Sequence, residues 1–90
     1  MEIKILTKTK NELEFEVIGE KTILNPLKYK LLDDNKVTLA DWRIDHPLLA
    51  NPRFFLKVKE GTPKTILLKA IRALKKDADS LRKAVEEMKE

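Results

Sequence analysis

Ninety residues, 42% of them hydrophobic, with a formal charge of +4 and no cysteine, describe one small domain spanning 1–90 without disulfides or thiolate metal sites. Such a chain buries about two-thirds of its unfolded surface, enough for a modest core. No apolar run approaches the roughly 20 residues of a membrane span. The start, Met1-Glu2-Ile3-Lys4, lacks the apolar centre of a signal peptide, so a cytoplasmic protein is expected. Abundant Lys and Glu, no Gln and a single Ser80 match the composition associated with hyperthermophiles.

Residues 2–8 alternate, with Ile3 and Ile5 on one face, and residues 12–18 set Leu13, Phe15 and Val17 against Glu12, Glu14 and Glu16. Period two over this length predicts two half-buried strands. The polar segment between them predicts an antiparallel hairpin. From Thr22 to Asp34 the period becomes helical, with Leu24, Leu27 and Leu31 on one face. Either Thr22 caps this helix, or Asn25 does with Pro26 at the first position. Asn35 is placed to close it in the left-handed conformation.

Val37 to Ile44 reads as a third strand, with a bulge expected at Ala40-Asp41, and Phe54 to Lys59 as a fourth. His46-Pro47 to Asn51-Pro52 forms a loop between them. Gly61-Thr62-Pro63 supplies a break, an N-cap and a first-position proline for a last helix over 63–89. The predicted fold is therefore α+β: a two-layer β-β-α-β-β-α domain, a four-stranded sheet with helices on one face and a long C-terminal helix.

Along that helix Leu67, Ile71, Leu74, Ala78, Leu81, Val85 and Met88 alternate in steps of four and three, the seam of a coiled-coil-like contact. The helix would be about 40 Å long, against a diameter near 30 Å for a compact chain of this size, an overhang of roughly 10 Å. A seam that continues past its own sheet implies a partner.

Sites for chemistry are sparse. Asp45 and His46 are sequence neighbours that strand geometry points to opposite faces, and no nucleophile accompanies them. No catalytic residue, metal site or cofactor is expected: one histidine and scattered carboxylates match no metal-ligand spacing, and two glycines cannot build a phosphate loop. The charge excess lies in 61–90, eight basic against five acidic side chains, at Lys64, Lys69, Arg72, Lys75 and Lys76. It reads first as a solvated helix face and second as the nucleic-acid-binding stripe of a free homodimeric module.

Two segments carry a resemblance: Thr22-Ile23-Leu24-Asn25-Pro26-Leu27, and Arg43-Ile44-Asp45-His46-Pro47-Leu48 followed by Asn51-Pro52. In a chain of this length and predicted order they resemble the alpha-like assembly subunits of RNA polymerase, archaeal subunit L among them. The resemblance covers nearly the whole chain, with Lys21 where family members usually have His. It implies a non-catalytic subunit that pairs with a larger alpha-like partner, named D in archaea, as the platform for the catalytic subunits. Further polymerase subunits would be partners, with no specific DNA contact and no membrane. The implied interface takes Thr22, Leu24, Asn25, Leu27 and Leu31 from the first helix, and Leu74, Ala78, Leu81, Val85 and Met88 from the last.

Overall fold

A computed structural model of the chain describes residues 2–19, 21–46 and 50–88. The order is β1 (Glu2–Lys8), β2 (Glu12–Ile18), α1 (Leu24–Leu32), β3 (Val37–Arg43), β4 (Arg53–Val58) and α2 (Pro63–Glu86). The strands form one antiparallel sheet in the order β1-β2-β4-β3. The predicted α+β architecture is therefore the observed one. Chain connectivity alone does not reveal that β4 inserts between the first hairpin and β3. That order puts the most apolar strand, β4, at the centre.

The core lies between sheet and helices. Leu13, Phe15 and Val17 of β2 and Phe54, Leu56 and Val58 of β4 are all buried. Phe15 and Phe54 are cross-strand partners whose rings stack at 5.4 Å. From above, Leu24, Leu27 and Leu31 of α1 and Ile66, Leu67 and Ala70 of α2 close the layer. α1 packs over β3, and α2 packs over β2 and β4. The sheet order thus puts β1 on the side of α2 away from α1, and the helices leave it uncovered. Its predicted half-burial does not hold. Ile3 and Ile5 pair with Val17 and Phe15 on the helix side, yet remain 51% and 48% exposed.

Several local expectations are corrected. The N-cap of α1 is Ile23, with no side-chain cap bond, and the first helical bond runs from the Leu27 N–H to the Ile23 carbonyl. Pro26 is tolerated in the first turn because the leading N–H groups of a helix have no intrahelical acceptor. Asn25 does not cap, because its Oδ1 accepts from Trp42 Nε1 at 2.9 Å, joining α1 to β3. Asn35 is not left-handed, since no described residue other than glycine has a positive φ. The turn after α1 is built by Asp34, whose Oδ1 and carbonyl accept from the Lys36 and Val37 N–H groups.

The irregularity of β3 lies between Val37 and Leu39 and not at Ala40-Asp41. Ala40 is itself a core residue, so the alternation through Leu39, Ala40, Asp41 and Trp42 is intact. A small side chain there leaves room for α1. The last helix starts as expected: Gly61 has a φ of 76°, open to glycine, and the Thr62 hydroxyl accepts from the Thr65 N–H ahead of Pro63.

The Asn25–Trp42 bond is a natural test of this assembly. Asn25→Ala should lower stability by about 1 kcal/mol, the usual contribution of one hydrogen bond, and so lower the Tm by about 4–8 °C. The same change made on Trp42→Phe should have a much smaller effect in thermal melts, because the donor is already gone.

Candidate partner interface

α2 has a wider apolar arc than its own chain covers. Ile66, Leu67 and Ala70 are buried, and Leu74 is half-buried against the core. Beyond it Leu81, Val85 and Met88 are 67%, 56% and 71% exposed, and Ala78 is exposed too. Among the described residues the last hydrogen bond or ion pair from α2 to another element is at Asp77, whose carboxylate accepts from Lys30 Nζ of α1 at 2.8 Å. That hydrogen bond, then the charge of Asp77, raises the Lys30 pKa above its ordinary value. The nine residues from there to Glu86 add about 14 Å of free helix, somewhat more than the expected overhang. Leu68 and Ile71 are also exposed, on the flank of α2 that looks toward β1. With Ile3 and Ile5 they make the open side of the two-layer fold apolar.

The residues named from the sequence therefore separate. Leu74, Ala78, Leu81, Val85 and Met88 share one face and most of it is open. Thr22 and Asn25 lie on the surface at the start of α1, with the Asn25 side chain held by Trp42. Leu24, Leu27 and Leu31 are 0%, 5% and 0% exposed inside the chain's own core, which leaves them no surface for a second chain. They position α1 and belong to the core beneath it, although the expected interface includes them. Ile3, Ile5, Leu68 and Ile71 were absent from it. The signal for Leu68 and Ile71 was already in the helical period. For Ile3 and Ile5 no signal existed without the strand order.

The opposite face of the sheet holds charged ladders. Arg53 pairs with Asp45 and with Glu14, Arg43 with Asp45 and Lys57 with Glu12. The guanidinium groups of Arg43 and Arg53 lie 5.2 and 5.7 Å from the Phe55 ring centroid. Asp41 is held below its usual carboxylate range by the Trp42 N–H, which donates to it, and then by Lys28. Asp45 thus turns to arginine and not to its neighbour His46, which is exposed just past the end of β3. Pro47, Leu48 and Leu49, the rest of that motif and its neighbour, lie outside the described residues. Opposite charges on this face largely neutralise one another, and among the described residues no group of three or more potential ligands is disposed to hold a metal ion. No helix among them is long and apolar enough to cross a membrane.

The basic stripe divides in two. At about 100° per residue Lys69, Arg72, Lys76 and Lys83 fall on the side of α2 away from the apolar arc, whereas Lys64 and Lys75 border that arc with Arg82. None of these except Arg82, which pairs with Glu86, has an acidic partner among the described residues.

Comparison with known proteins gives one answer. The model of the RNA polymerase Rpb3/Rpb11 dimerisation domain matches residues 12–84. Among curated relatives, DNA-directed RNA polymerase subunit Rpo11 of Methanocaldococcus jannaschii is 39% identical over 100 aligned residues, covering 100% of this chain and 98% of that protein. The Rpo11 of Methanosarcina acetivorans is 40% identical over 75 residues, 82% of this chain and 80% of that one. The crystal structure of DNA-directed RNA polymerase subunit L from Thermoplasma acidophilum superposes with a TM-score of 0.83 at 29% identity, covering 96% of this chain and 86% of that chain. With the same fold and a match over residues 12–84, this chain belongs to the archaeal RNA polymerase subunit L (Rpo11) family, within the Rpb3/Rpb11 dimerisation domains.

Proposed function

We propose that this chain is a non-catalytic assembly subunit of a cytoplasmic DNA-directed RNA polymerase. It pairs with the larger alpha-like subunit, named D in archaea, and the pair is the platform on which the catalytic subunits assemble. The observation that carries this is the open apolar stripe of α2 from Ile71 to Met88, in a chain matching a dimerisation domain. Three exposed large side chains beyond the last tertiary tie add nothing to the isolated fold. Desolvating them against a second chain contributes at about 25 cal/mol per Å² of apolar surface. Leu74, Ala78, Leu81, Val85 and Met88 form the centre of the contact, Leu68, Ile71, Ile3 and Ile5 its flank, and Thr22 and Asn25 its edge at α1. Nucleotidyl transfer belongs to other subunits, and this one needs no cofactor or metal.

A free nucleic-acid-binding module is the competing reading. Its aromatic side chains form no shared stacking platform: Phe15 and Phe54 are core, Trp42 is packed against the core and bonded to Asn25, Phe55 lies beneath two arginines, and Tyr29 stands alone on the surface of α1. Affinity purification of the tagged full chain from its native cell should bring down polymerase subunits, the alpha-like subunit included, in equal amounts. The purified chain alone should bind DNA only in the weak, steeply salt-dependent range of non-specific contacts. Recovery free of polymerase, with nanomolar selective DNA binding lost on changing Lys69, Arg72 and Lys76 to Glu, would establish the module instead.

A further inference from the structure

The first turn of α2 breaks a local electrostatic rule. Carboxylates are favoured at a helix N-terminus, where the macrodipole is positive. The first turn of α2 has none and carries Lys64 directly after Pro63 instead. The fold then brings two more cations to the same place. Lys8 at the end of β1 and Lys10 in the hairpin turn line, with Lys64, a hollow of about 160 Å³. Its floor is apolar, made by the buried Leu13 and Pro63. Lysines are the only charged residues that line it, and among the described residues none of the three has an ion-pair partner. The carboxylates at this end of the sheet stand elsewhere. Glu12 pairs with Lys57 at 3.3 Å, Glu60 follows Lys59, and Asp33 and Asp34 line a separate cleft with Lys69 on the α1 side of α2.

We propose that this hollow is a second docking surface, which receives an acidic segment of a polymerase subunit outside the alpha-like pair. An aliphatic side chain of that segment sits on Leu13 and Pro63, and carboxylates on either side of it meet Lys8, Lys10 and Lys64. The inference rests on the place in a polymerase proposed above. Three like charges around one helix N-terminus disfavour the free chain, and functional sites are where such local rules are broken. Charge complementarity points to an anionic occupant. Two features favour a peptide over a nucleic-acid backbone. The apolar floor stabilises a buried carbon side chain, which a phosphate does not supply. No arginine lines the hollow, so the planar donor fork that suits phosphate is missing. The outer stripe of α2 is remote from it. Leu81 lies seventeen residues beyond Lys64, about 25 Å along the helix axis, which separates the hollow from the contact centred on Ala78 and Leu81.

Lys64→Glu tests the charge, and chemistry on the lysines tests the occupant. In the isolated chain Lys64→Glu should raise the Tm by about 2–6 °C in low salt, because it suits the macrodipole and relieves Lys8 and Lys10. An unchanged Tm overturns the proposal, since the lysines are then no uncompensated cluster. Polymerase purified from the native cell is treated with acetic anhydride and, separately, with a carbodiimide, which condenses an amine with a carboxylate in contact with it. Lys8, Lys10 and Lys64 should acetylate several-fold more slowly than in the isolated chain. Carbodiimide should join at least one of them to an Asp or Glu in an acidic segment outside the alpha-like pair. Links confined to the alpha-like subunit overturn the proposal, because the hollow is then part of the pairing. Protection that nuclease abolishes overturns it in favour of nucleic-acid phosphates. Copurification with polymerase but equal lysine reactivity in both states overturns this proposal alone. A chain recovered without polymerase overturns it together with the assembly reading.

Discussion

Leu81→Asp should leave the isolated chain almost as stable as the wild type, with a Tm within about 3 °C, as expected for an exposed site. Leu74→Asp, two turns earlier on the same stripe, should lower the Tm by more than about 10 °C. The difference follows from what each side chain touches. Leu74 packs against the core beneath α2, where a carboxylate is left with no partner and loses part of its hydration, at a cost of about 2–3 kcal/mol. Leu81 is 67% exposed and lies beyond the Asp77–Lys30 tie. Cognate binding should show what the melts hide. At the centre of the contact, Leu81→Asp should weaken it by about 2 kcal/mol or more, roughly 30-fold. The measurements are thermal melting of the chain alone and its co-purification with the alpha-like subunit. Should Leu81→Asp unfold the chain as Leu74→Asp does, the outer stripe is core and the overhang is not an interface.

Phe54→Ala should have the largest effect on the fold. Phe54 is fully buried in the central strand, between Phe15 and Trp42 in the ladders, with its ring stacked on that of Phe15. Truncating a buried phenylalanine costs about 3–5 kcal/mol through lost transfer energy and the cavity left behind. A chain of this length holds about 5–13 kcal/mol in all. The variant should therefore melt about 20 °C lower, or fail to fold when made alone, and binding to the alpha-like subunit should partly restore it by mass action. Phe55→Ala, one residue along on the charged face, should be far milder, because that ring is covered only by two arginine side chains. Urea titrations of both variants check the contrast: a similar loss for the two would mean that the core is not on the helix side of β4.

The elements themselves were legible because each rests on a local rule. Period two in β2 and β4, period 3.6 in α1 and α2, and the Gly61-Thr62-Pro63 start act within a few residues, and chain order alone then implies two layers. The four-and-three stepping of α2 likewise identifies a stripe longer than its sheet, since helix rise is a constant. What local pattern cannot encode is which surfaces meet. Alternation predicts that Ile3 and Ile5 share a face, but the strand order, with β4 between β2 and β3, decides that no helix covers that face. The helical face of Leu24, Leu27 and Leu31 reads the same whether it meets a partner or its own sheet, and packing over β3 decides for the sheet. Asn25 looks like a cap until a tryptophan seventeen residues away takes its carbonyl oxygen. The basic excess near the C-terminus is a single cluster in one dimension, and only the direction in which α2 turns its covered side divides it into a solvated face and a border of the apolar arc.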